Sequence, residues 1–231
     1  MLTGIMAIFE LILKLGPVVD TVLRLSKIIL NKTKIRKMTE YEKIEHLYKK
    51  YGGEFDKKDV NIFGIQKGNE ADDTFNDLIC VAFNKEVYKF VGTTDPGKWY
   101  AKNPVNPKGT AHIMDGFHKE CWIVGTHRKG KSNEQKNSLV QHGNPVRVWR
   151  DTNQNFKYDD GDTHETGYFG TNFHHAKNSK KIGKWSAGCQ VIQMIPDFRE
   201  FMRIVRQSPA YLANHKKKFS YKLFPEKVKL S

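Results

Sequence analysis

The sequence predicts an α+β protein, a β-rich body over residues 37–231 preceded by amphipathic helices over 1–36. Three observations carry this. Apolar residues near the start recur at helical spacing. From about residue 60 they gather instead in short runs rich in Val, Ile and Phe. Loops of Gly, Pro and Asn such as DPGKWYAKNPVNPKG separate those runs.

The opening MLTGIMAIFELILKLG is apolar, but Glu10 and Lys14 interrupt it short of a membrane span. It has neither a basic n-region nor a small-residue cleavage site, so neither a classical signal peptide nor a transmembrane helix is expected. Pro17 suits a first helical position, and Val18, Val22, Leu25 and Ile29 then share one face. Asp20 and Arg24 lie one turn apart on the opposite side. Through residues 1–30 such helices suit packing, a partner helix or a membrane surface.

Thr39-Glu40-Tyr41-Glu42 is a capping box, and the helix it opens closes at Gly52-Gly53. Tyr41, Ile44, Tyr48 and Tyr51 line one face of it. VNIFGI then reads as a strand, and LICVAF, an Asn84-Lys85 turn and EVYKFVGTT read as a β-hairpin. CWIVGTH, PVRVWR and CQVI are further short strands. Pro196 opens a helix with Phe198, Phe201, Met202 and Val205 facing inward, and FSYKLF is a closing strand.

With 39 Lys and Arg against 25 Asp and Glu, the formal charge is +14. Such a protein is drawn to polyanions, a lysine-rich soluble surface being the plain alternative. The lysines are scattered and accompany no RRM, zinc-finger or basic-zipper pattern, so no specific nucleic-acid recognition is expected.

The segment DTNQNFKYDDGD spaces oxygen ligands at the rhythm of an EF-hand loop: Asp151, Asn153, Asn155, the Lys157 carbonyl, Asp159 and Asp162. Position six is Phe156 rather than Gly, and position twelve is Asp rather than Glu. A structural Ca2+ at 151–162 competes with a polar turn closed by its own Asx side chains.

Three cysteines are too few for a disulfide framework. Cys80 and Cys121 lie in strand-like runs and read as core thiols. Cys189 instead follows Ser186-Ala187-Gly188, fifteen residues beyond His174 of GTNFHHA. A nucleophilic cysteine needs an imidazole to take its proton and donors for the oxyanion formed on attack. His174 is the candidate base, and the amides of Gly188 and Cys189 are candidate oxyanion donors. A zinc site from His164, His174, His175 and Cys189 is disfavoured, because adjacent histidines on a strand project to opposite sides.

HHA…SAGCQVI resembles the L,D-transpeptidase (YkuD-type) catalytic domain family, whose signature is a His, a gap of similar length, then Ser-x-Gly-Cys and an apolar strand. TTDPG, NPKGTA, GTHRKG, PVRVWRDTN and GYFGTNFHHA occur in the order expected of a divergent branch, and the resemblance covers roughly residues 59–206. It implies an L,D-transpeptidase-like domain of mixed sheets or a sandwich with flanking helices, and no cofactor required for catalysis. Cys189 would be the nucleophile, Gly188 the oxyanion-forming residue, Ser186 the residue that orients the turn and His174 the base. Many members carry a histidine directly before Gly-Cys, where this chain has Ala187, so either His174 takes over with help from His175, or His127 of GTHRKG supplies the imidazole, or the site is degenerate. Trp185 and Tyr168 would wall the substrate cleft. The substrates implied are peptidoglycan stem peptides. An amine acceptor resolves the acyl-enzyme to a cross-link, whereas water gives carboxypeptidase or endopeptidase activity. Action at the cell envelope, in wall remodelling or phage lysis, would follow, by an export route the sequence leaves open. The rival is a non-catalytic wall-binding module that keeps the fold.

Overall fold

Backbone hydrogen bonding turns the apolar runs into short strands, seen in a computed structural model that describes residues 20, 21, 23–28, 33, 35, 37–68 and 73–228. The chain forms two units, Met1–Lys43 and Ile44–Ser231. In the first, the described residues between 20 and 35 are helical, and Arg24 pairs with Asp20 at 2.8 Å. Leu23, Leu25 and Ile28 are about half exposed. The apolar opening, Val18, Val22 and Ile29 lie outside the described residues. No helix among the described residues is long and apolar enough to cross a membrane.

Helix α1 (Glu40–Lys50) straddles the two units. Its start is the capping box read from the sequence: the Glu42 N–H donates to Thr39 Oγ1, and the Thr39 N–H donates to Glu42 Oε2 at 2.8 Å.

The body is built from β1 (Asn61–Ile65), β2 (Asp77–Phe83), β3 (Glu86–Thr93), β4 (Thr110–Ile113), β5 (Gly116–Gly125), β6 (Ser138–Gln141), β7 (Val146–Asp151), β8 (Thr163–Gly167), β9 (Phe173–His175), β10 (Gln190–Ile192) and β11 (Phe219–Phe224). Short helices α2 (Lys98–Lys102), α3 (Asn133–Lys136) and α5 (Pro209–Ala213) and the longer α4 (Ile195–Val205) join them. The β2–β3 hairpin turns at Asn84 and Lys85, whose φ of 50° and 65° are the pair of positive values a tight two-residue hairpin turn needs.

The fold is α+β, as expected; of the mixed sheets or sandwich expected, the main sheet is mixed and closes into a barrel of order β1-β11-β5-β6-β9-β10-β3-β2. Two parallel pairings make closure work, β1 with β11 and β9 with β10, and closure leaves no barrel edge exposed. Ile62, Ile79, Val81, Trp122, Phe173, Ile192 and Leu223 belong to its core, where Phe198 and Phe201 of α4 join them. Each such side chain contributes roughly 1.5–3 kcal/mol by leaving water. Gln190 is buried with them; it accepts from the Tyr221 hydroxyl at 2.7 Å and donates to Thr94 O at 3.1 Å. A separate antiparallel sheet, β4-β7-β8, pairs His112 with Trp149.

Candidate functional site

Cys189 stands one residue before β10, so the anchoring of Gln190 also fixes the base of the cysteine. The turn before it is held by Ser186, which is fully buried. Ser186 Oγ donates to Cys189 O at 2.8 Å and accepts the Gly188 N–H at 3.2 Å, while Ser186 O accepts the Gly97 N–H at 2.9 Å. Gly188 has φ of 121°, and a Cβ there would lie 2.6 Å from Ala111 O, so both backbone angle and space demand glycine. Ser186 thus closes the turn before Cys189 with two hydrogen bonds. The Gly188 amide is engaged by that serine rather than turned toward a cleft, while the Cys189 N–H takes no partner among the described residues. Ala187 is exposed.

The parallel β9–β10 pairing decides which histidine shares the cysteine's side. Val191 is in register with His174, and Cys189 precedes Val191 by two residues. Alternation along a strand puts Cys189, Val191, Asn172 and His174 on one face. His175 turns to the other face, against Phe198 with ring centroids 5.6 Å apart, and its Nδ1 accepts the Lys177 N–H. His127, just past β5, stacks on His174 at 4.5 Å with planes 14° apart. The Asn172 side-chain amide donates to His127 Nδ1 at 3.1 Å.

His174 Nδ1 lies 3.1 Å from His175 O. A carbonyl can only accept, so Nδ1 carries the hydrogen. Burial, and then the neighbouring His127, pushes the His174 pKa down to about 3. The ring is therefore neutral at physiological pH, with a bare lone pair on Nε2. His127 is likewise held down to about 4, chiefly by burial.

The sulfur is half-buried beside Phe75, Ala176, Ile182 and Val191, where Trp185 also packs. Its hydrogen bond goes to Gly170 O at 3.5 Å, and among the described residues no histidine nitrogen hydrogen-bonds it. Burial raises the thiol pKa; the Asn172 amide and the Arg128 charge oppose this without overcoming it. The resting site is a neutral thiol and a neutral imidazole, not a preformed ion pair.

Gln141, which the sequence did not single out, shapes the loop that presents Gly170 O. Its Oε1 accepts the N–H groups of Phe169 and Gly170 at 2.9 Å each, its Nε2 donates to Gly167 O, and its own N–H donates to Asn172 Oδ1. In that loop Tyr168 is exposed and ties its hydroxyl to Gly143 O. Cys80 and Cys121 are buried core thiols, as read from the sequence.

The acidic loop stands apart. Asp151 is fully buried and accepts the Asn155 and Phe156 N–H groups; Asp159 Oδ2 accepts from the Asn153 and Asn155 side-chain amides; Asp162 accepts from Thr152 and Asp159. Phe156 takes φ of 67°, the left-handed conformation that glycine supplies in an EF-hand. The side-chain oxygens spaced for a cation are thus bonded within the loop, Asn153 and Asn155 Oδ1 accepting the Asn155 and Lys157 N–H groups. Among the described residues no group of three or more His, Cys, Asp or Glu is arranged to hold a metal, and His164 is engaged with Tyr158 rather than with Cys189.

A cavity of about 810 Å³ opens at the barrel end beside this loop, lined by Gln66, Asp95, Trp149, Asn155, Tyr158 and Lys227 among others. Neither Cys189 nor His174 lines it, so chemistry rather than size locates the candidate site. Asp95 connects the cavity to a buried polar cluster: it meets His112 Nδ1 at 3.0 Å, while Asp77, pushed up to about 7 by burial and then by Asp95, accepts from Thr94. Comparison with protein-family models, with curated proteins and with solved structures finds no match to this chain.

Proposed function

We propose that this protein is a cysteine-dependent peptidoglycan-modifying enzyme of the L,D-transpeptidase type, acting on stem peptides through an acyl-enzyme. The observation that carries the reading is that Cys189 and His174 fall on the same side of β9–β10, His174 being in register with Val191 two residues beyond the cysteine, with His174 Nε2 bare. A peptide carbonyl entering beside the sulfur supplies the electrophile. As the S–C bond forms, the thiol proton passes to His174 Nε2. The C–N bond then breaks, and the leaving amine takes that proton. An amine or water next attacks the thioester with His174 again as base, giving a cross-link or a hydrolysed peptide. Because the resting thiol is neutral, proton transfer accompanies attack instead of preceding it. The Cys189 N–H is the donor proposed for the oxyanion. The +14 charge suits an anionic cell wall as the place of action.

The test is incubation of purified muropeptides with the wild type and with Cys189→Ala, followed by mass spectrometry. The proposal expects cross-linked dimers or loss of a terminal residue with the wild type alone. Unchanged muropeptides with both proteins, together with retained wall binding, would support the second reading. That reading, a non-catalytic wall-binding module, draws on the raised thiol pKa and on Ala187 in place of the family's histidine.

A further inference from the structure

The cavity of about 810 Å³ at the barrel end has the size that holds a small organic molecule, and barrel mouths are a common place for one. Its walls come from segments far apart in sequence: Asp95 after β3, Asp115 between β4 and β5, Trp149 of β7, Tyr158 of the acidic loop and Glu226 after β11. What these residues offer a guest is one-sided, because carboxylate oxygens accept hydrogen bonds and donate none.

The carboxylates of Asp95, Asp115 and Glu226 stand against the ammoniums of Lys157 and Lys227, so the lining carries a formal charge of −1 within a chain of +14. Lys227 also turns its ammonium toward the Tyr51 ring, 5.9 Å from the centroid. Asp115 and Glu226 are exposed and, among the described residues, hold no salt bridge or side-chain hydrogen bond. Glu226 lies over Gly68, where φ of 72° and the missing Cβ make room for its carboxylate. Phe156 already takes the Lys102 ammonium, 5.2 Å from its ring centroid. Tyr158 is 56% exposed and meets Trp149 edge-on at 5.6 Å, which leaves its ring for a guest.

Behind this wall an acceptor stands unused. His112 is 1% exposed, with Nδ1 3.0 Å from Asp95 Oδ1 and its ring stacked on Trp149 at 3.9 Å. Both of those neighbours line the cavity. The carboxylate fixes the hydrogen on Nδ1, so Nε2 of the neutral ring can only accept. Among the described residues it is the one buried side-chain nitrogen or oxygen without a hydrogen-bond partner. Native interiors seldom leave such an atom unsatisfied.

We propose that this cavity binds an organic ammonium, a protonated primary amine carried on an apolar or aromatic body. An ammonium has three donors and no acceptor, the complement of the carboxylates and of His112 Nε2. The faces of Tyr158 and Trp149 attract the same charge and pack the body. A divalent metal fits less well, since among the described residues no three acidic or imidazole groups are arranged to hold one. The site stands apart from the acyl-transfer reading, because neither Cys189 nor His174 lines it.

The experiment is an NMR titration of the full chain at about pH 7 with three probes that share one body: 2-phenylethylamine, 2-phenylethanol and 3-phenylpropionate. The amine, protonated there like a lysine, should bind about tenfold more tightly than the alcohol, and the carboxylate more weakly than either. The ring signals of His112, Trp149 and Tyr158 should shift as it binds. The exposed double substitution Asp115→Asn with Glu226→Gln should cost the amine about tenfold and leave the alcohol unchanged. General attraction cannot mimic this preference, because a chain of +14 repels cations. Equal binding of amine and alcohol overturns the proposal, as does tighter binding of the carboxylate, which would make the two lysines the recognising groups. Unmoved His112 and Trp149 signals at about 20 mM amine overturn it as well.

Discussion

His127 lies flat on His174, ring centroids 4.5 Å apart, and the two neutral rings hold their hydrogens on different nitrogens. Asn172 donates to His127 Nδ1, which leaves the His127 hydrogen on Nε2, while His174 keeps its hydrogen on Nδ1. Asn172 is in turn oriented by the Gln141 N–H, so one amide side chain couples the end of β6 to the histidine stack. The stack also covers His174, and in acid, where His127 takes up its proton, that charge lowers the His174 pKa further.

Removing the cover should be visible directly. In His127→Ala the His174 pKa should climb from about 3 toward the ordinary histidine value, because water reaches the ring and one positive neighbour is gone. Titration of the His174 ring protons by NMR measures this. An unchanged pKa would mean that the barrel wall, and not His127, desolvates His174.

Thiol chemistry offers an independent check. Cys189 is the half-buried cysteine, whereas Cys80 and Cys121 are 0% and 1% exposed, so iodoacetamide should label Cys189 first. With its thiol raised above the ordinary value, that labelling should be slow at pH 7 and still accelerating beyond pH 9. Mass spectrometry of timed samples resolves the three sites. A rate that levels off below pH 7 would show a thiolate stabilised in the resting protein, contrary to this geometry.

How much of this was legible in the sequence depended on range. The β2–β3 hairpin was, because Asn84 and Lys85 tolerate the left-handed turn between two apolar runs. Helix α4 was too, since Pro196 and its inward-facing aromatics are local signals. Strands β4, β6, β8 and β9 were not assigned: they are short and, unlike in β1 and β10, polar residues such as those of THETG and FHH break any apolar run. Barrel closure was out of reach because it rests on pairings such as Ile62 with Tyr221, which no local pattern encodes. At the site, Ser186, Gly188 and Cys189 announced themselves as a motif. Gln141 and Asn172 did not, because their work is to hydrogen-bond segments distant in sequence.

The turn itself should be intolerant. Gly188→Ala adds a methyl 2.6 Å from a backbone oxygen at a φ that L-residues rarely adopt, so it should cost about 2 kcal/mol or more and displace the sulfur. Ser186→Ala removes two hydrogen bonds from a buried position, a loss of about 1–3 kcal/mol. Urea denaturation measures both. A neutral Ser186→Ala would mean that the turn is held by Gly188 and its packing alone.

Stability should peak between about pH 6 and 7. His118 and His127 are held near 4 and His174 near 3, burial leading in each case, against 6.5 when unfolded. Below 6.5 the unfolded chain binds protons that the folded protein refuses, so stability falls as pH drops from 6.5 toward 4, by about 1.4 kcal/mol per pH unit for each histidine. Asp77 acts in the opposite direction. Raised from 3.8 to about 7, it favours the folded state at low pH and loses that contribution as pH rises through 7. Denaturation midpoints from pH 4 to 8 test this, and a flat profile between 7 and 5 would contradict the buried neutral histidines.

Calcium should leave the fold unmoved. A cation at 151–162 must take oxygens already engaged: Asp151 by two backbone amides, Asp159 by two side-chain amides, Asp162 by Thr152 and Asp159. Asn153 and Asn155 face Asp159 with their Nδ2 groups, so both would have to turn over before either could coordinate. Each lost bond is then a cost that ligation has to exceed. At about 1 mM calcium, the weak end of EF-hand affinities, the melting temperature should therefore stay within about 1 °C of its value in chelator. A larger rise, abolished by Asp159→Ala but not by a distant surface substitution, would show that the two amides do turn and that the loop's spacing serves a metal.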